Sequence, residues 1–200
     1  MIQRWLGKQL RQPAGLFSKF IGLYMQRGNE PINRWTVDLM DLAETDVLLE
    51  VGIGNGSTLN RIVADAKIRQ AFGVDLSDEM IKEAEKLNKK YIDDGLVVLD
   101  KGNIVSLPYH DECFDKVFSV HTLYFWPDVT RGFSEIHRVL KPGGKLFLSI
   151  IEKSRMEKMK RTRNFNLITA GEIEALLEDQ HFKISKVHQN GALLCIEATK

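Results

Sequence analysis

From residue 46 onward, short apolar runs alternate with segments whose apolar positions recur at helical spacing. The runs cover residues 47–51, 71–75, 96–99, 116–120 and 145–151. Runs of this length, bounded by glycine or polar residues, predict buried strands. Between them, apolar side chains recur every three or four residues, as from Met80 to Ala84 and Leu87, which predicts amphipathic helices. Strands that alternate with helices predict a parallel sheet covered by helices on both faces.

The pattern changes near the C-terminus. Thr169 and Glu172 have the spacing of a capping box, which predicts a helix from there to Asp179. Residues 182–188 and 192–198 are two further strand-like segments around an Asn-Gly pair, which is a strong hairpin signal. We therefore predict an α/β fold, a doubly wound, mostly parallel seven-stranded sheet that ends in an antiparallel hairpin.

The first 45 residues follow a different pattern. Two clusters of apolar side chains each share a helical face: Ile2, Trp5, Leu6 and Leu10, then Phe17, Phe20, Ile21 and Tyr24. Pro13 and Gly15 interrupt the sequence between the clusters, which predicts two or three short helices. We expect residues 1–45 to form an N-terminal helical cap and residues 46–200 to form one globular domain, since a domain has roughly 100–200 residues.

Composition is that of an ordinary globular protein. The 200 residues include 28 basic and 27 acidic side chains, and the net charge of +1 excludes a histone-like polycation. No apolar run reaches the roughly 18 residues of a membrane span. Cys113 and Cys195 are the two cysteines and form no CxxC pair, so no disulfide framework or cysteine zinc site is expected. The N-terminus lacks the apolar region of a signal peptide, and we expect a cytoplasmic location.

Positive charge is concentrated in two segments. Residues 1–29 carry basic side chains and no acid, and residues 153–163 carry basic side chains with Glu157 as the single acid. Such segments can attract an anionic small molecule, RNA or an anionic membrane surface. The alternative is that both are solvated helix faces. Met156, Met159 and Phe165 interleave with the charges of this region, which predicts that residues 153–166 form a mobile lid over an apolar substrate.

A glycine loop follows the first predicted strand, in the sequence Leu49-Glu50-Val51-Gly52-Ile53-Gly54-Asn55-Gly56. Glycines allow a tight turn and the close approach of a ligand to the backbone. Asp75 ends the second predicted strand, where a carboxylate can accept hydrogen bonds from both ribose hydroxyls of a nucleoside. A nicotinamide dinucleotide is disfavoured because the GxGxxG pattern requires a glycine where Ser57 stands. The P-loop pattern GxxxxGK[ST] is absent from the sequence.

Four segments together carry a resemblance to a known family. They are residues 48–56 with the glycine loop, 73–80 (Gly-Val-Asp-Leu-Ser-Asp-Glu-Met), 102–115, and 135–144 (Glu-Ile-His-Arg-Val-Leu-Lys-Pro-Gly-Gly). In order and spacing they resemble the class I S-adenosylmethionine-dependent methyltransferases, and most closely the small-molecule branch called methyltransferase type 11. The resemblance implies a Rossmann-like methyltransferase fold over residues 46–200, S-adenosylmethionine as the cofactor and S-adenosylhomocysteine as its product.

The resemblance also assigns the cofactor contacts. The assigned residues are Glu50, Gly52, Gly54, Gly56, Asp75, Leu76, Met80, Asn103, Ile104 and Ser119. It implies that the glycines pass under the methionine part, with Glu50 near its amino group, while Asp75 holds the ribose. Leu76, Met80, Asn103 and Ile104 would surround the adenine, and Ser119 would lie beside the transferable methyl group. Asn103 departs from the usual aspartate, although an amide oxygen can still accept a hydrogen bond from the adenine amino group.

Candidates for the acceptor side are less specific. His121 and Tyr124 are the candidate catalytic residues, and Tyr24, Met25 and Trp126 are the candidate substrate contacts. The alternatives are a structural, hydrogen-bonded histidine and an aromatic core cluster. Methyl transfer from an activated sulfonium is an in-line displacement, so a general base is optional and orientation can supply much of the acceleration. No carboxylate cluster indicates a catalytic metal.

The class of acceptor follows from what ends the fourth predicted strand. Ser119-Val120-His121-Thr122 stands there instead of Asp-Pro-Pro-Tyr or Asn-Pro-Pro-Tyr, which disfavours the branches that methylate amino groups of DNA and RNA bases. We expect methyl transfer to a small-molecule or lipid-like acceptor, either anionic or apolar, and no DNA partner. The alternatives are RNA or protein methylation with the basic segments as a grip, and a catalytically silent module that only binds S-adenosylmethionine.

Overall fold

The computed structural model describes residues 18–65, 68–159, 162–163 and 165–200, with side chains described from Asn29 onward. Its helices are α1 (Ser18–Leu39), α2 (Ser57–Asp65), α3 (Asp78–Asp93), α4 (Val129–Val139), α5 (Lys153–Met156) and α6 (Ala170–Asp179), with a 3-10 turn at Leu123–Phe125. Its strands are β1 (Val47–Val51), β2 (Gln70–Asp75), β3 (Val97–Lys101), β4 (Phe114–Val120), β5 (Leu140–Ile151), β6 (Lys183–Asn190) and β7 (Leu193–Thr199).

The seven strands form one sheet in the order β3-β2-β1-β4-β5-β7-β6. The first five strands in this order are parallel, and β7 pairs antiparallel with both β5 and β6. This arrangement confirms the predicted fold, including the C-terminal hairpin. The direction of winding reverses between β1 and β4, and in open α/β sheets ligands bind beside the carboxyl ends of the strands at such a reversal.

Successive side chains of the central strands point to opposite faces of the sheet and pack into two apolar layers. Leu48 packs in one layer with Phe118 of β4, and Leu49 packs in the other with Val117. Ile32 of α1 and Met40, directly after this helix, belong to the first layer, and helices α4 and α6 belong to the second. Because both faces of the sheet are covered, β1 is buried at four of its five positions, which explains its continuous apolar run.

Several local predictions are confirmed with shifted boundaries. Thr169 and Glu172 form the predicted capping box at the start of α6. Asn190 pairs with Leu193 across the hairpin, so the two-residue connection is Gly191-Ala192, one position later than predicted. Strand β5 begins at Leu140 rather than at the predicted residue 145, because the chain around the Pro-Gly-Gly turn continues the pairing as an irregularity in the ladder.

Residues 18–39 form a helix of 22 residues, which is longer than the short helices predicted, and the predicted break at Pro13 and Gly15 lies outside the described residues. The helix continues through Pro31, and Glu30 pairs with Arg34 across the proline at 2.7 Å. Burial of one face compensates for the proline: Thr36 is fully buried, and its hydroxyl bonds both the Ile32 carbonyl and Ser149 of β5. No helix among the described residues is long and apolar enough to cross a membrane.

Three sequence-based predictions about the N-terminal part of the chain stay predictions. The apolar cluster of residues 2–10 lies outside the described residues. The backbone of Tyr24 and Met25 lies in α1, but their side chains are outside the description, so their contact with a substrate stays a prediction. The division into a cap of residues 1–45 and a domain of residues 46–200 also stays a prediction.

Candidate cofactor and acceptor site

One cavity lies at the carboxyl ends of β1, β2 and β4, where the winding of the sheet reverses. Its walls come from the glycine loop, the end of β2, the loop after β3, the segment after β4, and α1. Ten of the residues singled out in the sequence line it together: Glu50, Gly52, Gly54, Asp75, Leu76, Met80, Asn103, Ile104, His121 and Trp126. Gly56, Ser119 and Tyr124 are buried and do not line the cavity.

The glycine loop has two different structural roles. Gly54 has a φ of +54°, and nothing lies within 4 Å of the position where a Cβ would stand. The loop backbone is therefore bare toward the cavity, as close approach of a ligand requires. At Gly56 a Cβ would stand 2.8 Å from the Cβ of Ala84, so this glycine serves the close packing of the loop on α3.

Asp75 is held by the backbone at the end of β2. Its Oδ2 accepts a hydrogen bond from the Gly54 amide at 3.0 Å, and its Oδ1 accepts one from the Ser77 amide at 2.9 Å. Burial raises the pKa of Asp75, and these amides act against that rise because they stabilise the charged form. A carboxylate oxygen can accept more than one hydrogen bond, so both oxygens retain capacity for the two hydroxyls of a ribose.

Glu50 is a buried carboxylate with an unmatched oxygen. Its side chain is only 4% exposed, and its Oε2 has no hydrogen-bond partner among the described residues. Burial raises the pKa of Glu50 well above its usual range, Asp75 raises it further, and Arg61 on α2 opposes the rise. A buried acceptor of this kind is costly unless a donor reaches it. The ammonium group of the methionine part of S-adenosylmethionine is such a donor, and the residues present therefore fit this cofactor.

The side of the cavity assigned to adenine is apolar with one amide. Leu76, Met80 and Ile104 line it, and the side-chain oxygen of Asn103 accepts a hydrogen bond from the Val105 amide at 3.3 Å. That bond turns the chain at Asn103 in the manner of an Asx turn. The oxygen retains a second lone pair, so the predicted contact with the adenine amino group stays open to it.

Helix α4 fixes the loop that carries Asn103 and Ile104. Glu135 accepts a hydrogen bond from the Leu107 amide at 2.7 Å, and Arg138 donates to the Tyr109 carbonyl at 2.8 Å and to Glu135 itself. Arg131, one turn earlier on the same face, donates to the Val105 carbonyl at 2.8 Å. Sequence reasoning used the 135–144 segment only as a resemblance and missed this clamp, although i, i+4, i+7 spacing of charged residues was the available signal.

The part of the cavity predicted to receive the acceptor lies after β4. His121 has a φ of +60°, which is uncommon for a residue with a Cβ and concentrates at functional sites. Its amide donates to the Ser149 carbonyl at 2.9 Å, which ties this backbone to β5. Val120, Phe125, Trp126 and Pro127 complete the wall. The left-handed conformation thus turns the chain out of β4 and brings the following residues over the cavity.

Tyr124 has a different environment. It is 6% exposed, its hydroxyl accepts a hydrogen bond from the Ile151 amide at 2.8 Å, and it lies within reach of the Ile151 carbonyl. Burial raises the pKa of Tyr124, so the hydroxyl stays protonated. The structure does not bring this side chain to the cavity, and of the two candidate catalytic residues only His121 lines it.

Some lining residues had no signal in the sequence. Asn29 and Asn33 stand one turn apart on α1 and reach the cavity from a helix that is remote in the chain from every motif. Thr122 follows His121, and a threonine between a strand and a turn gives no functional signal in the sequence by itself. Only the packing of α1 on the sheet could have identified the two asparagines.

Residues of and directly after the second basic segment pack next to Tyr124 and Phe125, outside the cavity lining. Phe165 meets Phe125 edge to face with ring centres 4.7 Å apart and stacks on Tyr124 at 6.0 Å. Met156 is buried in the same apolar layer. No lysine or arginine of the described part of this segment lines the cavity. The predicted mobility of this lid stays a prediction.

Comparison with known proteins agrees with this geometry. A family model described as "Methyltransferase domain" matches residues 49–148, half of the chain. The Bacillus subtilis (strain 168) protein YrhH, which carries a methyltransferase name, is 32% identical over 84% of this chain and 86% of its own length. The 27-O-demethylrifamycin SV methyltransferase of Amycolatopsis mediterranei (strain S699) is 33% identical over 55% of this chain and 40% of its own.

A solved structure has the same fold. It is a SAM-dependent methyltransferase of Thermotoga maritima with a TM-score of 0.72 and 24% identity, aligned over 92% of this chain and 97% of its own. The sheet order, the cavity at the strand ends and the family match all agree. The chain therefore belongs to the methyltransferase-domain family and is an S-adenosylmethionine-dependent methyltransferase.

Proposed function

We propose that this enzyme methylates a small, uncharged acceptor whose ring or other apolar part binds against Phe125 and Trp126. The carrying observation is the composition of the acceptor end of the cavity, which is built from Val120, Phe125, Trp126 and Pro127. Within the described part of the chain, no lysine or arginine lines the cavity, so no permanent positive charge there would pair with an anionic acceptor. Apolar and aromatic walls with a few polar groups are typical of small-molecule sites.

The rifamycin relative supports the same class of acceptor. Its name gives a small-molecule methyl acceptor, 27-O-demethylrifamycin SV. Its matched region is about half of this chain, and the family match also covers half of it. We extend the acceptor class, and not the compound, to this chain.

The mechanism relies on position more than on acid–base chemistry. When bound, S-adenosylmethionine supplies a methyl group already activated by its sulfonium. Glu50 would hold the ammonium group, Asp75 the ribose hydroxyls, and the bare backbone at Gly54 the chain between them. The aromatic wall would orient the acceptor in line and exclude water, which can account for most of the acceleration.

We call the residues that line the cavity after β4 the acceptor wall: Val120, His121, Phe125, Trp126 and Pro127. His121 is a titratable side chain of this wall, and we propose that it takes the proton that the acceptor loses on methylation. A histidine can take the proton that a hydroxyl group or a neutral amine loses when it is methylated near neutral pH. The variant His121→Asn removes this capacity while keeping a residue type that tolerates positive φ. His110 is exposed and does not line the cavity, so His110→Asn is the matched control.

The test measures S-adenosylhomocysteine formation with a panel of acceptors. The panel pairs uncharged ring-bearing alcohols, phenols and amines with carboxylated analogues, and adds total RNA and a denatured protein mixture. The proposal expects product only with uncharged small molecules, and a kcat for His121→Asn about 10²–10⁴-fold below that of His110→Asn. Product from RNA or protein, or a preference for the carboxylated analogues, would contradict it.

A cytoplasmic location is part of the proposal. Cys113 and Cys195 are both free thiols, and burial raises the pKa of Cys195 to about 11. Unpaired thiols of this kind are typical of a reducing compartment. Fractionation of the source cells with an antibody to this chain tests the location.

A further inference from the structure

A chain of hydrogen bonds links the acceptor wall to the glycine loop. The indole Nε1–H of Trp126 donates to Thr122 Oγ1 at 3.0 Å, and the hydroxyls of Thr122 and Ser119 bond each other. Ser119 Oγ donates to the Val51 carbonyl at 2.9 Å. Val51 is the residue directly before Gly52 and lies just past the last β1–β4 register pair, Glu50 with Phe118. Just beyond the last backbone pair, a side-chain hydrogen bond therefore connects β4 to β1.

The groups at the two ends of this series of hydrogen bonds determine which atom donates in each bond. An indole N–H can only donate and a carbonyl can only accept. Ser119 gives its single proton to Val51, so Thr122 must give its own proton to Ser119. Neither the Thr122 proton nor the Trp126 N–H is left for a substrate. Trp126 therefore offers the cavity its ring and not its donor.

The methyl group of Thr122 makes a second connection to the same loop. A Cβ built on Gly52 would stand 2.3 Å from Thr122 Cγ2, a distance that real Cβ atoms do not show. The Thr122 methyl group thus fills the space that a side chain at position 52 would occupy. Thr122 reaches the glycine loop through its methyl group and, by way of Ser119, through its hydroxyl, while also holding Trp126.

We propose that Thr122 is a positioning residue that couples the cofactor loop to the acceptor wall. The assignment rests on the proposed function only in giving the Trp126 side of the cavity to the acceptor. Movement of the Val51–Gly52 backbone when the cofactor binds would pass through the Ser119 and Thr122 hydroxyls to the indole. Trp126 emission therefore reports occupancy at the cofactor end of the cavity, and loss of the Thr122 hydroxyl uncouples the two.

The test compares Thr122→Val with Thr122→Ser in the full chain. Valine keeps the shape and removes the hydroxyl, and serine keeps the hydroxyl and removes the methyl group. Calorimetry gives the dissociation constant for S-adenosylhomocysteine, and emission spectra minus those of the same protein carrying Trp126→Phe isolate the signal of Trp126. We expect Thr122→Val to weaken binding about tenfold and to abolish the ligand-induced change in Trp126 emission. We expect Thr122→Ser, which loses the methyl contact with Gly52 and keeps the hydroxyl, to weaken binding less than Thr122→Val and to retain the change.

A matched control separates coupling from loss of stability. Thr36 is also buried, and its hydroxyl also bridges a carbonyl and a serine, but it lies outside the cavity. Thr36→Val is expected to lower the melting temperature as much as Thr122→Val while leaving the Trp126 response intact. If Thr122→Val retains wild-type affinity and the wild-type emission change, the coupling is refuted. If Thr36→Val abolishes the response as well, the effect is one of stability and the coupling is likewise refuted.

A double-mutant cycle tests the same link from its two ends. Ser119→Ala cuts the chain at the glycine loop and Trp126→Phe cuts it at the wall. If Thr122 couples them, the fold-change in affinity of the double variant differs from the product of the single ones by more than about twofold. Simple multiplication would contradict the coupling. All these readouts need no acceptor, so failure to find a methylated small molecule would count against the proposed function alone.

Discussion

Replacing Glu50 with glutamine is expected to stabilise the fold and weaken the cofactor complex at the same time. The carboxylate is buried, one of its oxygens has no partner among the described residues, and Asp75 adds a like charge nearby. Glutamine keeps the size of the side chain and removes the charge. The two effects have opposite signs because the buried negative charge destabilises the free enzyme and binds the ammonium group in the complex.

The size of each effect follows from the same contact. Leaving a buried polar group unsatisfied costs about 1–3 kcal/mol, and more when the group is charged. Glutamine keeps a polar atom at this place, so Glu50→Gln should recover the part of the cost that comes from the charge. Each kcal/mol corresponds to a melting-temperature rise of roughly 2–4 °C for a chain of this length. Hydrogen bonds to charged groups contribute about 1.5–3 kcal/mol, so the affinity for S-adenosylhomocysteine should fall roughly 10- to 150-fold.

The stabilisation should depend on pH in a defined direction. Burial raises the pKa of Glu50 in the folded chain above its ordinary value of 4.5. Below the ordinary pKa the side chain is protonated in both states, and the wild-type enzyme is not penalised. As pH rises toward and through the raised pKa, the unfolded state loses its proton more readily and wild-type stability falls. The advantage of Glu50→Gln should therefore be small near pH 4 and grow toward pH 8.

The assay is thermal unfolding across this pH range, with calorimetric titration of S-adenosylhomocysteine at pH 8. Glu85→Gln is the control, because Glu85 is an exposed carboxylate on α3 outside the cavity. It should change neither quantity. A Glu50→Gln enzyme that melts earlier than wild type at pH 8, or that binds the ligand with unchanged affinity, would refute the reasoning.

Three further substitutions test other parts of the site. Gly54→Ala places a methyl group in the cavity at a positive φ, so calorimetry should show affinity for S-adenosylhomocysteine reduced at least tenfold with a stability loss of only about 1 kcal/mol; unchanged affinity would contradict the bare backbone as a ligand surface. Asp75→Ala should weaken the same ligand by about 1.5–3 kcal/mol, and an affinity equal to that of an Asp78→Ala control on exposed α3 would contradict the ribose assignment. Arg138→Met removes the clamp on the loop after β3, so amide exchange should accelerate at Val105 and Leu107 but not in β1; uniform acceleration would indicate global destabilisation instead.

The parallel sheet could be predicted because its signals are local. Strand β1 is buried on both faces and therefore reads as an uninterrupted apolar run. The capping box at Thr169 and the Asn-Gly hairpin are likewise written in adjacent residues. Continuation of α1 through Pro31 could not be predicted in this way. The helix is retained by tertiary burial of Ile32 and Thr36, and of Met40 directly after its end, which no local pattern reveals.

The cofactor side of the site was accessible from the sequence for a related reason. Glu50, Gly54 and Asp75 follow or end two strands that the predicted topology places side by side. Gly56 carries the same motif but packs on α3, since its neighbours in space come from a helix that the motif does not specify. Tyr124 and Trp126 differ by two positions, yet one bonds Ile151 and the other lines the cavity. Tyr124 lies in the 3-10 turn Leu123–Phe125 and Trp126 directly follows it, and the local sequence pattern does not specify this turn.

The central claim is tested most directly by the thermal shift of the wild-type chain with S-adenosylhomocysteine, alongside NAD and alongside the Asp75→Ala variant. A ligand at 100 times its dissociation constant adds about 2.7 kcal/mol, and each kcal/mol moves the midpoint roughly 2–4 °C. The account predicts a rise of roughly 5–11 °C with S-adenosylhomocysteine, none with NAD, and a much smaller rise in Asp75→Ala. A rise with NAD alone, or an equal rise in Asp75→Ala, would contradict the assignment of this cavity.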